Sequence, residues 1–255
     1  MTTFKQVRGS DILVLSSDPS NPETGQIWYN SSSGTLKGYQ LATVNAWASG
    51  GNLNTARYDG GSAGTQTAAL FFTGDTGGGS NTTASESYNG TSWTNTPSVN
   101  TSKRQTIGSG IQTAALNFGG FSTTTTGATE LWNGSSWTTG NSMATGRRLL
   151  GSLGIQTASL ALAGVTTNNP PQQNTNAVES FNGTSWTSAP SLNTAREGLR
   201  GIGIQTAGLA AGGLTNSSTS TGITGATESY NGTSWTSVNS MNTARTSGAT
   251  SVLNH

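Results

Sequence analysis

The 255-residue chain carries 11 Lys and Arg against 10 Asp and Glu, and this scarcity of charge argues against a nucleic-acid partner, which needs a basic stripe. The chain contains no cysteine, so neither disulfides nor thiolate metal sites can form. No apolar run reaches the ~18 residues of a membrane span and no signal peptide is evident, so we expect no membrane insertion.

The N-terminal part of the chain predicts three short strands after an initial segment. Residues 25–30, 35–40 and 45–49 read GQIWYN, TLKGYQ and NAWAS, which combine aromatic and aliphatic residues with flanking Gly, Ser and Asn. Residues 1–20 are expected to form a lead or attachment segment. Residues 21–255 are expected to form a single repeat domain.

One phrase recurs along the rest of the chain at a nearly constant interval. SYNGTSW at 87–93 returns as LWNGSSW at 131–137, SFNGTSW at 180–186 and SYNGTSW at 229–235, and a degenerate copy ends at Trp47. A second phrase, NTAR or a variant of it, follows each Trp. Repeats of 40–50 residues built from strands are typical of a β-propeller or a solenoid. The residues expected to be structural in every repeat are Trp47, Trp93, Trp137, Trp186, Trp235, Arg57, Arg104, Arg147, Arg196 and Arg245.

One repeat, taken from Arg196 to Trp235, predicts four antiparallel strands. A Gly-rich first strand in EGLRGIG is followed by AGLAAGG at 207–213, ATESY at 226–230 and TSWT at 233–236. Asn231-Gly232 predicts a type I′ hairpin turn, in which both central residues have positive φ. The glycines of the first strand are interpreted as allowing close approach of neighbouring backbones, because no GK[ST] follows them to form a phosphate-binding loop.

The two ends of the chain complement each other. After Arg245 there is room for one further first strand, and the N-terminal region offers a second, third and fourth strand. A blade shared between the ends would close a ring and leave no exposed edges. We therefore predict an all-β, five-bladed propeller with four antiparallel strands per blade, closed by one C-terminal and three N-terminal strands.

Repeated side chains are interpreted first as parts of the scaffold. Four glutamates occupy equivalent positions before the aromatic residue of the third strand, where each is expected to accept hydrogen bonds or pair with the repeated Arg: Glu86, Glu130, Glu179 and Glu228. The alternative for the arginines is an inward ring that grips an anion. The tryptophans are expected to pack between blades, with carbohydrate stacking as the alternative.

Few residues of this chain could support catalysis. His255 is the only histidine, so a Ser-His-Asp triad or a His-ligated metal is not expected, and paired carboxylates for glycoside hydrolysis are the remaining option. Residues that occur once per blade cannot easily converge as an acid/base pair. We expect no enzyme activity, no cofactor and no metal.

The connections between second and third strands vary from repeat to repeat and are the expected recognition sites. By up-and-down geometry these loops share one face with the linkers that carry NTAR, and their Asn, Gln, Thr and Ser content suits polyhydroxylated ligands. The candidate ligand-binding residues on this face are Asp75, Asn81, Phe121, Asn168, Asn169, Gln172, Gln173 and Asn216.

The repeat resembles the kelch repeat. The resemblance lies in an Arg before the first strand, a Gly-Gly doublet ending the second, and the aromatic residue and Trp that follow. Gly119-Gly120 and Gly212-Gly213 match the doublet, whereas Thr73-Gly74 and Ala163-Gly164 keep only its second Gly. The resemblance covers residues 22–255 and implies a propeller.

Residues 18–38, DPSNPETGQIWYNSSSGTLKG, resemble a segment of bacteriophage tail-fibre and other virion structural proteins. This implies a location in the virion and other virion proteins as partners, with a homo-oligomer as one form of assembly. The expected function is non-enzymatic binding of a host-surface polysaccharide or protein receptor through the loops. A purely structural decoration or assembly module is the alternative, and a glycan-processing enzyme is a further one.

Overall fold

The computed structural model describes residues 12–22, 26–38, 49–166, 173–216 and 221–246, which consist of strands, turns and loops. The chain divides into two compact units, residues 1–49 and 50–255. Within the described ranges no helix is long and apolar enough to cross a membrane. Trp47, most of the predicted strand at 45–49 and the predicted C-terminal strand lie outside the described residues.

The first unit contains a three-stranded sheet. Its strands are β1 (Leu13–Leu15), β2 (Ile27–Asn30) and β3 (Thr35–Gly38). β2 and β3 form the antiparallel hairpin expected from the sequence, and β1 pairs in parallel with the other edge of β2. β1 was not expected, because residues 1–20 were assigned to a lead segment. It also occupies the edge of β2 at which a C-terminal strand was predicted to pair.

Asp18 holds this small sheet together. Its carboxylate accepts hydrogen bonds from Trp28 Nε1 at 3.0 Å and Asn30 Nδ2 at 2.8 Å, and it pairs with Lys37 Nζ at 2.7 Å. Lys37, followed by Asn30 and Trp28, lowers the pKa of the Asp18 carboxyl to about 2. One carboxylate therefore connects the segment after β1 to both β2 and β3.

The described part of the second unit contains four four-stranded antiparallel sheets, each a meander of consecutive strands. Sheet 1 consists of β4 (Gly61–Thr65), β5 (Ala68–Phe72), β6 (Ser85–Tyr88) and β7 (Trp93–Thr96). Sheet 2 consists of β8 (Ile107–Ile111), β9 (Ala114–Phe118), β10 (Thr129–Trp132) and β11 (Trp137–Gly140). Sheet 3 consists of β12 (Gly151–Ile155), β13 (Ala158–Val165), β14 (Asn174–Phe181) and β15 (Trp186–Ala189). Sheet 4 consists of β16 (Arg200–Ile204), β17 (Ala207–Ala211), β20 (Thr227–Tyr230) and β21 (Trp235–Val238), with a hairpin of β18 (Leu214–Asn216) and β19 (Thr221–Ile223) inserted in its loop. These sheets confirm the predicted all-β class and the four-stranded repeat.

The sheets meet through their first strands, so that β8 lies between β4 and β12, and β16 lies beside β12. Glycine is needed where these strands approach each other. A Cβ on Gly108 would lie 2.4 Å from Ser62 O of sheet 1, and one on Gly201 would lie 2.2 Å from Ser152 O of sheet 3. Close backbone approach is therefore the physical reason for glycine at these two places.

The structure corrects the turn type that was predicted for the Asn-Gly pairs. Tyr88 is paired with Trp93, which leaves a four-residue loop, and of Asn89 and Gly90 only the glycine has positive φ. Asn89 Oδ1 accepts hydrogen bonds from the backbone N–H groups of Thr91 at 3.0 Å and Ser92 at 2.9 Å. The asparagine is therefore chosen for its side-chain acceptor, as in an Asx turn, and the other three sheets repeat the same bonds.

The Gly-Gly doublet follows the second strand in sheets 1, 2 and 4 and forms a bulge within β13 in sheet 3, and in all four sheets it has two positive φ angles. Its first position has φ between 53° and 67° and is occupied by Thr73, Gly119, Ala163 and Gly212. Its second position has φ between 102° and 113°, and a Cβ there would lie 2.6–2.8 Å from a backbone carbonyl of the linker. An L-residue can adopt the first conformation at some cost but not the second, so only the second glycine is kept throughout.

Within the described residues, the fourth-strand tryptophans of sheets 2, 3 and 4 pack between sheets, which is the packing that the sequence predicts. Trp137 of sheet 2 meets Phe72 of sheet 1 edge-on with ring centroids 5.0 Å apart, and Trp186 of sheet 3 meets Phe118 of sheet 2 at 4.9 Å. Trp235 lies in the core formed by sheets 3 and 4. Each such pair contributes about 0.5–1.5 kcal/mol beyond the area that it buries. Each sheet is a single four-stranded layer, so its stability depends on this packing against its neighbours.

A glutamine in the strand 1–2 turn of sheets 2, 3 and 4 connects each of these sheets to the preceding one. Gln112 Nε2 donates to Ala69 O at 3.1 Å and Tyr88 O at 2.6 Å, and Gln156 Nε2 donates to Ala115 O at 2.9 Å and Trp132 O at 2.6 Å. Gln205 Nε2 reaches Ser159 O and Phe181 O of sheet 3 in the same way. One side-chain amide thus joins the second and third strands of its neighbour.

Replacing this glutamine should weaken the contact between sheets. We expect Gln156→Ala to lower the free energy of unfolding by about 2 kcal/mol, because two part-buried carbonyl oxygens lose their donor. Urea denaturation of the whole protein measures the change. Ser188→Ala on the exposed outer strand β15 is the control and should alter stability by less than about 0.5 kcal/mol. Equal effects of the two substitutions would show that the glutamine does not connect the sheets.

Candidate functional site

The charged residues of the second unit fall into two groups. One group occupies the same place in each sheet and consists of a cation in the linker before the first strand and a glutamate on the third strand. The other group consists of six residues that do not recur: Asp59, Asp75, Arg104, Arg148, Glu197 and Arg200. All six lie on the loop face, in the linkers, at the start of β16 or in the loop after β5. We call these six residues the mouth cluster.

The repeated pair is a buried clamp on the linker. In sheet 3, Arg147 Nη2 lies 2.8 Å from Glu179 Oε1, and the same carboxylate accepts a 2.7 Å hydrogen bond from the backbone N–H of Ala144. Arg196 pairs with Glu228 at 2.8 Å, and Arg57 pairs with Glu86. The Arg147 and Arg196 side chains are completely buried. They therefore form ion pairs within a sheet rather than an open ring of cations.

Sheet 2 departs from the predicted arrangement by one residue. The buried cation there is Lys103, whose Nζ donates to Ala128 O at 2.9 Å. Arg104, which the sequence analysis assigned to this place, is the next residue and belongs to the mouth cluster. The backbone bonds of the linker establish the register, because Asn100 N–H donates to Glu130 Oε2 as Ala144 does to Glu179. Arg245 is exposed in the described residues, and its Nε donates to Thr243 O at 3.3 Å.

Burial shifts the pKa values of the clamp. Desolvation lowers the pKa of Arg147 and Arg196, opposed by the partner carboxylate, yet a guanidinium remains protonated in proteins. Burial alone would raise the pKa of Glu86, but the Asn54 N–H and the Arg57 guanidinium outweigh it and lower the pKa below its ordinary value. Desolvation lowers the pKa of Lys103 to about 8, against the attraction of Glu130. Among the buried cations of the linkers, Lys103 therefore loses its proton most readily.

The linkers are joined to one another at the start of the first strands. Gln105 N–H donates to Asp59 O at 2.7 Å, Leu149 N–H to Gln105 O at 3.1 Å, and Gly198 N–H to Leu149 O at 2.8 Å. All four residues have φ between 52° and 60°. This chain of backbone hydrogen bonds crosses three sheet boundaries and fixes the residue that precedes each of these four positions: Tyr58, Arg104, Arg148 and Glu197.

Arg104 lies at the centre of the mouth cluster. Its Nη1 donates to Gly79 O at 2.8 Å and Asn81 Oδ1 at 3.0 Å, and it lies 3.7 Å from Asp75 Oδ2. Its guanidinium carbon lies over the Phe121 ring, 4.8 Å from the centroid. Loops of sheets 1 and 2 thus meet around this one side chain.

Arg148 and the remaining charges extend the cluster across sheets 3 and 4. The Arg148 guanidinium carbon lies 5.8 Å from the Phe121 centroid, and its Nη1 donates to Gln105 Oε1 at 2.6 Å. Desolvation lowers the pKa of Arg148, Glu197 opposes that shift, and Arg104 adds to it. Arg200 interacts electrostatically with Asp59. Each of the three cations of the cluster therefore interacts with one of its carboxylates: Arg104 with Asp75, Arg148 with Glu197 and Arg200 with Asp59.

Three of the predicted ligand-binding residues come together in this cluster. Asp75 is buried, Phe121 lies beneath two guanidinium groups, and Asn81 Nδ2 donates to Phe121 O at 3.2 Å and Ser122 O at 3.0 Å. These side chains therefore position the arginines more than they face solvent. Gln173 and Asn216 are exposed. Asn168, Asn169 and Gln172 lie outside the described residues.

The chemistry available in the cluster is recognition by charge, hydrogen bonding and aromatic contact. Among the described residues, no group of three His, Cys, Asp or Glu side chains could hold a metal ion. Tyr58 is 54% exposed, and its pKa is raised first by desolvation and then by the Asp75 carboxylate. Sequence reasoning missed Arg104, Arg148, Glu197 and Tyr58 as a set. Alignment of the repeats through Lys103 would have shown that the next position is tyrosine, arginine, arginine and glutamate in successive copies.

Lys103→Arg should stabilise the protein, because arginine can form the ion pair that the other sheets contain. We expect the free energy of unfolding to rise by about 2 kcal/mol at pH 7. The pKa of Lys103 is about 8 in the folded chain and about 10.4 in the unfolded chain. Between these values the unfolded chain binds more protons, so wild-type stability rises with pH. The advantage of the variant should therefore shrink between pH 8 and pH 10.

Urea denaturation at several pH values measures this difference. Lys37→Arg, at a partly exposed Lys that pairs with Asp18, is the matched control and should show no such pH dependence. A Lys103→Arg advantage that stays constant between pH 7 and pH 10 would contradict the burial of a titrating lysine.

Comparison with known proteins identifies the fold. No family model and no curated protein matches the chain. Among solved structures, the chain is similar to one described as "Structure of YjhT", a kelch-like propeller protein, with a TM-score of 0.56 and 13% sequence identity. The match covers 73% of this chain and 66% of that one. Together with the four-stranded sheets, this likeness shows a β-propeller-like fold.

Proposed function

We propose that this chain is a non-enzymatic binding module whose loop face recognises a host-surface glycan. The observation that carries the proposal is the mouth cluster. It concentrates every non-recurring charge of the described second unit at one end of the sheets, where the scaffold itself does not need them. A localised, asymmetric set of polar groups on a repetitive scaffold is how repeat proteins commonly build a recognition site.

A glycan is favoured over a protein receptor by the nature of these side chains. Arginine, tyrosine, asparagine and carboxylate groups offer many donors and acceptors, and the exposed Tyr58 ring offers an aromatic surface. Large exposed apolar residues, which anchor protein interfaces, lie mainly elsewhere. A glycan-processing activity remains an alternative that would use Asp59 and Glu197, the carboxylates of the cluster outside the Arg104–Asp75 pair.

A structural assembly role is the second candidate, and the opposite face favours it. The strand 1–2 and 3–4 turns contain no charged residue, and three of them expose an isoleucine at equivalent positions: Ile111 at 41%, Ile155 at 48% and Ile204 at 56%. A neutral face with apolar side chains suits a contact with another protein of the same particle. The two roles are compatible, because they use opposite faces.

The finer architecture and the biological setting belong to the same proposal. We infer five blades from the five Trp and five Arg copies, with the fifth blade shared between the chain ends. Because β1 already pairs with one edge of β2, a C-terminal strand at that edge would have to displace it. The virion setting is supported by the resemblance of residues 18–38. Electron microscopy of native particles should reveal a five-part disc, and any other number of parts would overturn the blade count.

Glycan binding should depend on the loop face and not on the turn face. We expect the purified protein to bind host-surface polysaccharide on a glycan array, and Tyr58→Ala to weaken this binding about tenfold or more by removing an exposed aromatic contact. Ile155→Thr is the matched turn-face control, because Thr65 occupies the equivalent place in sheet 1, and it should bind as the wild type does.

Failure of the protein to bind any glycan or host cell, together with firm copurification with particles, would overturn the binding role in favour of the structural one. Release of oligosaccharides from host polysaccharide on incubation would instead establish the enzyme.

The structural role makes a separate prediction. Replacing Ile111, Ile155 and Ile204 together by threonine should reduce incorporation into particles about tenfold while leaving thermal stability and glycan binding unchanged, because three exposed apolar contacts are lost. Quantitative mass spectrometry of purified particles measures the incorporation. Unchanged incorporation would exclude this face as the attachment surface, and loss of self-association instead would show that it joins copies of this chain.

A further inference from the structure

The position occupied by Arg104 and Arg148 does not need a cation for folding. The same backbone position carries Tyr58 in sheet 1 and Glu197 in sheet 4, and all four residues pair with the loop after the second strand through the same pair of backbone hydrogen bonds. Two adjacent sheets therefore present arginine at a place where the scaffold accepts an aromatic residue or a carboxylate equally well. Folding therefore does not explain why both of these residues are arginines.

The hydrogen bonds of these arginines orient them without cancelling their charge. Arg104 donates to a carbonyl and an amide oxygen, and Arg148 donates to the Gln105 amide oxygen. The buried Arg147 and Arg196, by contrast, lie 2.8 Å from a glutamate oxygen. Asp75 approaches Arg104 only to 3.7 Å, because its Oδ1 accepts the Gly77 N–H and its other contacts are directed to Tyr58. Neutral acceptors thus form the short hydrogen bonds of both guanidinium groups, while Asp75 at 3.7 Å from Arg104 and Glu197 near Arg148 supply the neighbouring negative charge.

Phe121 brings these two like charges together. Both guanidinium carbons lie over its ring, at 4.8 and 5.8 Å from the centroid, although their mutual repulsion disfavours this arrangement. Arg148 Nε is buried, and no acceptor within the described residues bonds to it. The Nε atoms of the clamp arginines Arg57, Arg147 and Arg196 are unpaired in the same way, so this donor does not by itself require a ligand. An anion between the two side chains would relieve the repulsion and accept the remaining N–H groups.

We propose that Arg104 and Arg148, backed by Phe121, bind one anionic group of an acidic glycan, a carboxylate, sulfate or phosphate substituent on the sugar. The inference rests on the proposed glycan-binding function and specifies its ligand class. Planar, forked N–H donors match the paired oxygens of such groups, whereas neutral sugars make no use of the charge. The carboxylates of Asp75 and Glu197 then limit how much negative charge the site accepts, which selects isolated anionic substituents over polyanions.

Binding of defined polysaccharides to the full chain tests this. Neutral, uronic-acid-containing, sulfated and phosphorylated polysaccharides are compared by biolayer interferometry at 50 and 200 mM salt. We expect at least one acidic class to bind at least tenfold more tightly than the neutral one, and the difference between the three acidic classes identifies the substituent. Arg148→Gln should remove this preference, whereas Arg148→Lys should keep part of it, since lysine keeps the charge but not the fork. Lys37→Gln removes one charge from the first unit and should have no effect.

Glu197→Gln provides the opposite test and does not depend on a destabilising change at Arg148. Because the Glu197 carboxylate acts on Arg148, its neutralisation should raise affinity for the acidic polysaccharide several-fold. Preference for neutral polysaccharide, or acidic binding that neither Arg148→Gln nor Glu197→Gln changes, overturns the inference and leaves the glycan-binding function standing. Absence of binding to all four polysaccharides overturns the function itself.

Discussion

The fold of the second unit depends on a carboxylate that water does not reach. Each third strand of the four-stranded sheets places a glutamate that accepts hydrogen bonds from backbone N–H groups of the linker entering that sheet and lies near the cation of the same linker, as Glu179 does with Ala144 and Arg147. A buried carboxylate without donors would cost several kcal/mol, so the linker must follow one path. Because the linker follows the same path into each sheet, each sheet is placed in a similar way relative to the sheet before it. The tryptophan of one sheet therefore contacts the core of the preceding sheet.

This constraint separates scaffold residues from residues that are free to vary. The glutamate, its cation and the doublet glycine are each engaged in every described four-stranded sheet, and the turn glutamine is engaged in sheets 2, 3 and 4, so their recurrence reflects stability. The position after the cation is held by backbone bonds alone, and it carries tyrosine, arginine, arginine and glutamate in turn. Variation is therefore concentrated at a place whose backbone is rigid. Rigid backbone with variable side chains is the arrangement that allows recognition without loss of stability.

Strand order and sheet composition could be predicted from the sequence, because hairpin turns and alternating residues recur with each tryptophan. The details that failed have local causes. Arg104 was assigned to the clamp because Lys103 and Arg104 are adjacent cations, and only the hydrogen bonds to Glu130 reveal the register. Asn-Gly was interpreted as a type I′ turn because the sequence does not show that the Asn89 side chain accepts backbone hydrogen bonds. The pairing of β1 depends on the tertiary contacts of Asp18 with Trp28 and Asn30, which no periodic sequence pattern predicts.

The scarcity of charge also bears on selectivity. In a chain with many surface charges, an anionic ligand finds many weak sites, and binding falls steeply with salt. Here four of the cations in the second unit are buried beside glutamates, and neutral acceptors on neighbouring side chains and loops hold Arg104 and Arg148 in place. Their ordering is completed during folding, so a ligand does not bear the entropy of fixing two long side chains. A site with two oriented charges on an otherwise nearly neutral surface favours a ligand by geometry more than by total charge.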